Sequence, residues 1–498
     1  MQSVWNQVQK FPQAILLGIY AIFFVIFFSF QTKNPNTFVQ DEQYKYLQVQ
    51  ELIEKGFTQF DRKVEETRNP KGEEFSQFHP PFVYTFSGKE FFTFPWSFAF
   101  LVAVFVKWFG FWGTFIIPAI FGYLSVFIFF KLILHLSNDE TISFQSTLFY
   151  IFCTPLLIYS TWLYEATLTN FLFFFFLYQF YKSDSFSSIF LCSFLLGIIA
   201  FFRLEIVVYS GFFLLYSFLF ENRKKQILLI YSIFLIFLGL QFWMNHFATG
   251  FFLPIRLMTT GQDHFTLTFR LFRILEYWFL SQYSFLFYFP VCIFSFWIFT
   301  SKIVSKEKLL VLGGITTWTI APFFGPNQQG MDLSPRYFFP ILPIFGYVTL
   351  FILKERFSKW KRLLLTLLFL LPMLRMVLML GILVQTQKVY DSTHEFFRKT
   401  LNTKVISSTE NVNNFLYNLS ELEVYTPTTL PKAKEWLAYN RDARFSLVCI
   451  DDQGECNRKN TTEVRCPWDC KEFLKSIDPK AELSTVPNLP ILKYYNKK

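Results

Sequence analysis

Residues 11–46 read FPQAILLGIYAIFFVIFFSF QTKNPNTFVQ DEQYKY: twenty almost wholly apolar residues, a short polar gap, then the acidic pair Asp41-Glu42. The run Phe11–Phe30 has the length that a helix needs to cross a bilayer, about 20 residues. It is too long for a signal-peptide core and lacks a small-x-small cleavage site, so it is expected to remain as the first membrane helix, with Lys10 just before it. Runs of the same kind recur along the chain. Candidate spans lie at 11–30, 112–134, 142–160, 166–182, 186–202, 205–220, 226–246, 281–300, 308–325, 337–353 and 363–383. Hydrophobic residues make up 53% and charged residues only 16%, against roughly a quarter charged in soluble domains. The 73 phenylalanines, with abundant Lys, Ile and Asn, reflect AT-rich coding rather than an aromatic binding surface.

The charges between the runs give the chain a direction. Lys182, the cluster Arg223-Lys224-Lys225, Lys302-Lys306-Lys308 and Lys354-Arg356-Lys359-Lys361-Arg362 fall in alternate loops, which the positive-inside rule places in the cytosol. The net charge of +10 is therefore an orientation signal, and nucleic acid is not an expected partner. The apolar run Trp96–Gly110 is short, follows Pro95 and contains Lys107, so it is expected to lie in the outer leaflet without crossing. The resulting fold class is an all-α polytopic membrane protein of about 11 spanning helices with a small extracytoplasmic C-terminal α/β or α+β domain. The expected division is 1–385 for the membrane domain, including a first external loop at 31–95, and 386–498 for the C-terminal domain. Cys153, Cys192 and Cys292 fall in spans, whereas Cys449, Cys456, Cys466 and Cys470 share the tail, an even set in a compartment that permits disulfides. Three pairings are open. The spacings Cys449-x6-Cys456 and Cys466-x3-Cys470 differ from the close pairs of structural zinc sites.

Polar residues that could carry chemistry gather near the expected outer face. Asp41 and Glu42 open a short amphipathic stretch that stops at Gly56; acids there also suit the helix dipole, so a plain capping role stands beside a catalytic one. His79 lies in His79-Pro80-Pro81. Lys89, Arg203 and Arg336 (followed by Tyr337) stand at segment edges, where a snorkelling cation is the ordinary alternative. Glu165 follows a span, and Arg375 falls mid-span, where charge is costly. The sequence carries no Gly-rich phosphate loop, His-Glu-x-x-His or nucleophile elbow.

The acidic pair after the first span, the following helix ending in Gly, and His79-Pro80-Pro81 resemble the first external loop of the GT-C glycosyltransferases. That superfamily includes protein O-mannosyltransferases, aminoarabinose transferases and oligosaccharyltransferase catalytic subunits. The likeness continues through Lys107-Trp108-Phe109-Gly110, Arg203-Leu204-Glu205 and Ser334-Pro335-Arg336-Tyr337-Phe338-Phe339-Pro340, and covers about residues 1–355. The resemblance implies transfer of a sugar from a polyprenyl-phosphate donor to a lipid, polysaccharide or protein acceptor at the outer face of a bacterial inner membrane, with membrane lipids as surroundings. It makes Asp41 the catalytic base and Glu42 the second acid; His79, Lys89, Glu165, Arg203, Arg336 and Tyr337 become substrate-binding candidates. The cations would meet the developing phosphate charge. In some members a second-loop acid helps bind a divalent metal; Glu165 stands at that position alone, without the Asp-x-Asp or Asp-x-Glu of oligosaccharyltransferase subunits, so no cofactor is assigned. A transporter or lipid-linked-saccharide flippase would instead spread polar residues through its spans or show inverted repeats, and a polymerase or ligase of another membrane fold would place its decisive residues in a large late loop.

Overall fold

The computed structural model of the chain describes residues 11–31, 33–38, 41–58, 60, 62–63, 83–86, 89–221, 223–255, 267–280, 290–300, 305–324, 339–356, 361–408, 416, 422–427, 429–440, 443–450, 469–487 and 489–497. The packing divides into two compact units, one of residues 1–30, 104–252 and 260–381, the other of 31–103, 253–259 and 382–498.

In chain order the elements are α1 (Pro12–Phe30), α2 (Asp41–Glu54), β1 (Arg62–Lys63), β2 (Val83–Phe86), β3 (Lys89–Phe92), α3 (Trp96–Phe109), α4 (Ile116–Ser137), α5 (Glu140–Cys153), α6 (Leu156–Ser160), α7 (Ala166–Lys182), α8 (Phe186–Phe202), α9 (Leu204–Phe220) and α10 (Lys224–Thr249). There follow α11 (Leu267–Leu275), α12 (Ser305–Phe324), α13 (Ile341–Arg356), α14 (Lys361–Thr400), β4 (Lys404–Ser407), β5 (Glu423–Tyr425), α15 (Leu430–Tyr439), β6 (Phe445–Ile450), α16 (Cys470–Ile477), β7 (Ser484–Val486) and β8 (Leu489–Lys497).

The first unit is helical. Its outward side chains include Ile22, Val25, Leu235, Ile236, Leu374 and Leu378, all exposed; apolar residues so presented along long helices suit a lipid environment. Among the described residues, the stretches Pro12–Phe30, Trp96–Ser137, Lys224–Thr249 and Leu363–Thr400 are long and apolar enough to cross a membrane, and Phe186–Phe202, Ile206–Phe220 and Ile341–Lys354 are shorter apolar helices. α4 packs on α7, α7 on α8, α8 on α10, α9 on α12 and α5 on α13. The turns are chemically explicit. Asn138 takes a left-handed conformation (φ 51°) to end α4, and Asp139 caps α5 by accepting from the N–H groups of Thr141 and Ile142. A side chain at Gly122 would collide with Tyr20 and Ser160, whose hydroxyls bond at 2.8 Å, so α1, α4 and α6 meet there at closest approach.

The structure differs from expectation in detail. The run 142–160 is not one helix: it breaks at Thr154-Pro155 into α5 and α6, because the proline ring clashes with the preceding turn and lacks an N–H. The run 96–110 is a helix, as expected; its α-helical part ends at Phe109, and Gly110, whose φ of +59° only glycine adopts readily, opens a 3-10 segment Gly110–Phe115 that leads into α4. The span at 363–383 belongs to α14, which carries on without interruption past residue 385 to Thr400.

The second unit joins the first loop to the tail. β1, β3 and β2 form a small antiparallel sheet in that order, with Val83 opposite Phe92 and Phe86 opposite Lys89. The tail forms a five-stranded mixed sheet, order β5-β4-β6-β8-β7, parallel between β4 and its two neighbours and antiparallel beyond. Both faces are covered. Ile406, Leu447, Trp436 and Phe473 build one core beneath α15 and α16, and Val405, Val448 and Leu492 build the other with Tyr390 and Phe397 of α14. The period-two alternation of β4 and β6 thus yields continuous apolar strands, as expected of a sheet buried on both sides. Of the three cysteine pairings open to the tail, Cys449–Cys470 is formed, with Cα atoms 6.4 Å apart, tying β6 to the start of α16; Cys456 and Cys466 lie outside the described residues.

Candidate active site

Helix α2 begins at the acidic pair itself. Asp41 and Glu42 occupy its first turn, where the helix dipole favours negative charge, and the chain leaves it through Gly56 and Phe57, both at positive φ (61° and 65°). A cap serving only the helix would stand in solvent. Here Asp41 is 7% and Glu42 2% exposed, and a buried carboxylate requires compensating partners. Lys33 supplies attraction to Glu42. Its ammonium donates to Gln31 Oε1 at 2.6 Å; burial pulls its pKa down to about 7 and the Glu42 charge opposes that shift. On the same helix Lys45 is buried with its ammonium over the rings of Phe94 and Phe98, at 5.3 and 5.7 Å. Gln48 Nε2 donates to the Phe94 carbonyl at 3.5 Å, while the Gln43 amide is fully buried with neither end hydrogen-bonded. Asn34 Nδ2 donates to Asp391 Oδ1 at 2.9 Å, anchoring the loop to the far end of α14. Lys89 opens β3 and is exposed, whereas its neighbour Glu90 is buried.

The first unit holds Glu165, Arg203 and Arg375. Glu165 stands at the N-cap of α7 and Arg203 between α8 and α9, so the α7–α8 hairpin brings together residues 38 apart in sequence. Arg203 Nη2 meets Glu165 Oε1 at 2.9 Å, with the two side chains 6% and 5% exposed. The turn leading in is lined by aromatics: Tyr159 and Trp162 stand 6.4 Å apart, Trp162 and Tyr164 5.7 Å, and Phe339 lies 5.1 Å from Tyr159. Deeper, Tyr150 shares its hydroxyl with Ser125 (2.9 Å) and Asn170 (3.1 Å). Arg375 is half-buried in α14, three residues past Pro372.

His79, Arg336 and Tyr337 lie outside the described residues. Among the described residues no three His, Cys, Asp or Glu side chains gather as a metal site. Sequence reading missed Lys33, which only its closeness to Glu42 distinguishes, and the buried Arg273, paired with Glu276 at 3.3 Å; the latter's i,i+3 spacing on an amphipathic helix was a readable sign.

The chain thus comprises a long-helix unit with buried charge pairs and a second unit made of its first loop and its tail. The structure is similar to crystal structures of ArnT from Cupriavidus metallidurans. The match to the apo state has a TM-score of 0.57 at 9% identity and covers 98% of each chain. The match to the form bound to undecaprenyl phosphate has a TM-score of 0.54 at 10% identity and covers 97% of each. At these identities the likeness is one of fold. No family model matches the sequence, and no curated protein matches it.

Proposed function

We propose that the chain is a glycosyltransferase that moves a sugar from a polyprenyl-phosphate donor to a lipid, polysaccharide or protein acceptor at the outer face of the inner membrane. The observation that carries this reading is the buried acidic pair at the head of α2 with Lys33 against it, in a fold shared with an ArnT that holds undecaprenyl phosphate. In the proposed reaction an acceptor hydroxyl or amine attacks the anomeric carbon. Asp41 takes the attacking group's proton, the glycosidic C–O bond to phosphate breaks, and the polyprenyl phosphate leaves with the electron pair. What the reaction asks of Asp41 is placement against the attacking group. Glu42 orients the acceptor. Lys89, Arg203 and Arg336 offer positive charge to the leaving phosphate, Arg as a bidentate fork and Lys as a point charge. Glu165 holds the Arg203 guanidinium at 2.9 Å, so it is read as the residue that sets that fork's direction. His79 and Tyr337 remain substrate-binding candidates on the resemblance alone. The membrane orientation that goes with this puts the N-terminus in the cytosol and the five-stranded domain in the periplasm.

The test is transfer by purified protein in lipid, supplied with radiolabelled polyprenyl-phosphate sugars, beside Asp41→Asn. Loss of a general base costs about 10²–10⁴-fold in rate; transfer at the wild-type rate in the variant removes Asp41 from the role.

A further inference from the structure

The far end of the helical unit carries a second polar cluster. Helix α7 runs about 23 Å from Ala166 to Tyr181 at 1.5 Å per residue, so Tyr181 stands at the opposite end of the hairpin from Glu165 and Arg203. The basic loop residues gather there too. Arg223 Nη2 meets Asp184 at 3.0 Å and its Nη1 donates to the Phe180 carbonyl at 2.7 Å. The Lys306 ammonium lies 5.3 Å from the centre of the Tyr181 ring, and Lys354 pairs with Asp139.

Within this cationic rim sit buried polar groups without hydrogen-bond partners. The Tyr181 hydroxyl belongs to a side chain 5% exposed and has no hydrogen-bond partner; one carboxylate oxygen of Glu221 is likewise buried and unpartnered, as is the hydroxyl of Ser217 one turn before it. Tyr181 lies in the electrostatic reach of Glu221, Glu307 and Arg223, and Tyr347 donates to Glu307 Oε1 at 2.9 Å. Burial pushes the Glu221 carboxyl up, against the pull of Arg223 and Lys306. Leaving such groups unpaired is costly, so the cluster favours a polar ligand. A carboxylate oxygen can only accept, which asks for N–H or O–H groups. The surrounding Lys and Arg ask for an anion close by. The apolar side chains just before Glu221, Leu219 and Phe220, are 56% and 68% exposed, a presentation that suits lipid.

We propose that this end of the helical unit binds the headgroup of an aminophospholipid. Glu221, Glu307 and Tyr181 receive its primary ammonium, Lys306 and Arg223 face its phosphodiester, and its acyl chains run beside Leu219 and Phe220. A primary ammonium brings three N–H donors; a quaternary one brings none, which is the basis for discrimination. The site does not depend on the transferase reading.

The full chain is purified in detergent, stripped of lipid, and offered phosphatidylethanolamine, phosphatidylcholine and phosphatidylglycerol of identical acyl composition, with bound lipid counted by native mass spectrometry. Wild type is expected to retain the ethanolamine lipid about tenfold over the choline lipid, the size of one charged hydrogen bond. Glu221→Gln and Tyr181→Phe should bring the two lipids to parity. In lipid-free detergent Tyr181→Phe should melt no lower than wild type, because it removes an unpartnered hydroxyl. Equal retention of all three lipids by wild type, a preference for the glycerol lipid, or an undiminished ethanolamine preference in both variants would each overturn the proposal.

Discussion

The pair Arg203–Glu165 shows how little a residue's class says about its task. Each was legible as an ionisable side chain at the edge of an apolar run, and the ordinary alternative was a cation reaching for water. Instead the two bury each other at 2.9 Å. Breaking such a pair from one side strands a charge and costs about 3–5 kcal/mol, whereas replacing both members with apolar residues of like volume is often neutral. Glu165→Leu is therefore expected to lower the melting temperature sharply, and Glu165→Leu with Arg203→Met to recover most of it while abolishing transfer. A double variant as unstable as the sum of the singles would count against the pairing. Lys33 carries a second prediction. Its folded-state pKa of about 7 lies below the ordinary 10.5, so between those values the unfolded chain holds the proton more tightly. Stability should then rise as pH climbs from about 7 towards 10. Thermal unfolding compared at pH 6.5 and 9 should show that rise in wild type and less of it in Lys33→Met.

At the scale of elements, local sequence signals worked where backbone chemistry decides the outcome. The stop after α2 came at Gly56, as a glycine closing an amphipathic stretch suggests, and its φ of +61° explains the glycine. Gly56→Ala should cost about 1 kcal/mol, since a Cβ in the left-handed region is strained; equal melting temperatures would show that the turn relaxes. Pro155 was equally visible in the sequence, yet the apolar content of 142–160 suggested a single helix, and hydropathy alone does not register a missing N–H. The disulfide is a third case. Closing the 21-residue separation between Cys449 and Cys470 stabilises by about 3 kcal/mol in the chain-entropy view. Both thiols should resist maleimide labelling in unfolded, unreduced protein and react after reductant; labelling without reductant would show that the bond is not made.

For the whole molecule, the properties that each residue settles with its own solvent were legible in the chain before any fold. Apolar runs of bilayer length, cations in alternate loops, and an acidic pair just beyond the first run all follow from local transfer free energies and helix period, and these carried both the membrane reading and the likeness to GT-C enzymes. Tertiary structure decided the pairings. It set Lys33 against Glu42, Arg203 against Glu165 and Cys449 against Cys470, and it joined the first loop to the tail in one unit. Such contacts join residues 9 to several hundred positions apart. Their energies depend on distance and on burial of both partners, and neither exists until the chain has closed on itself.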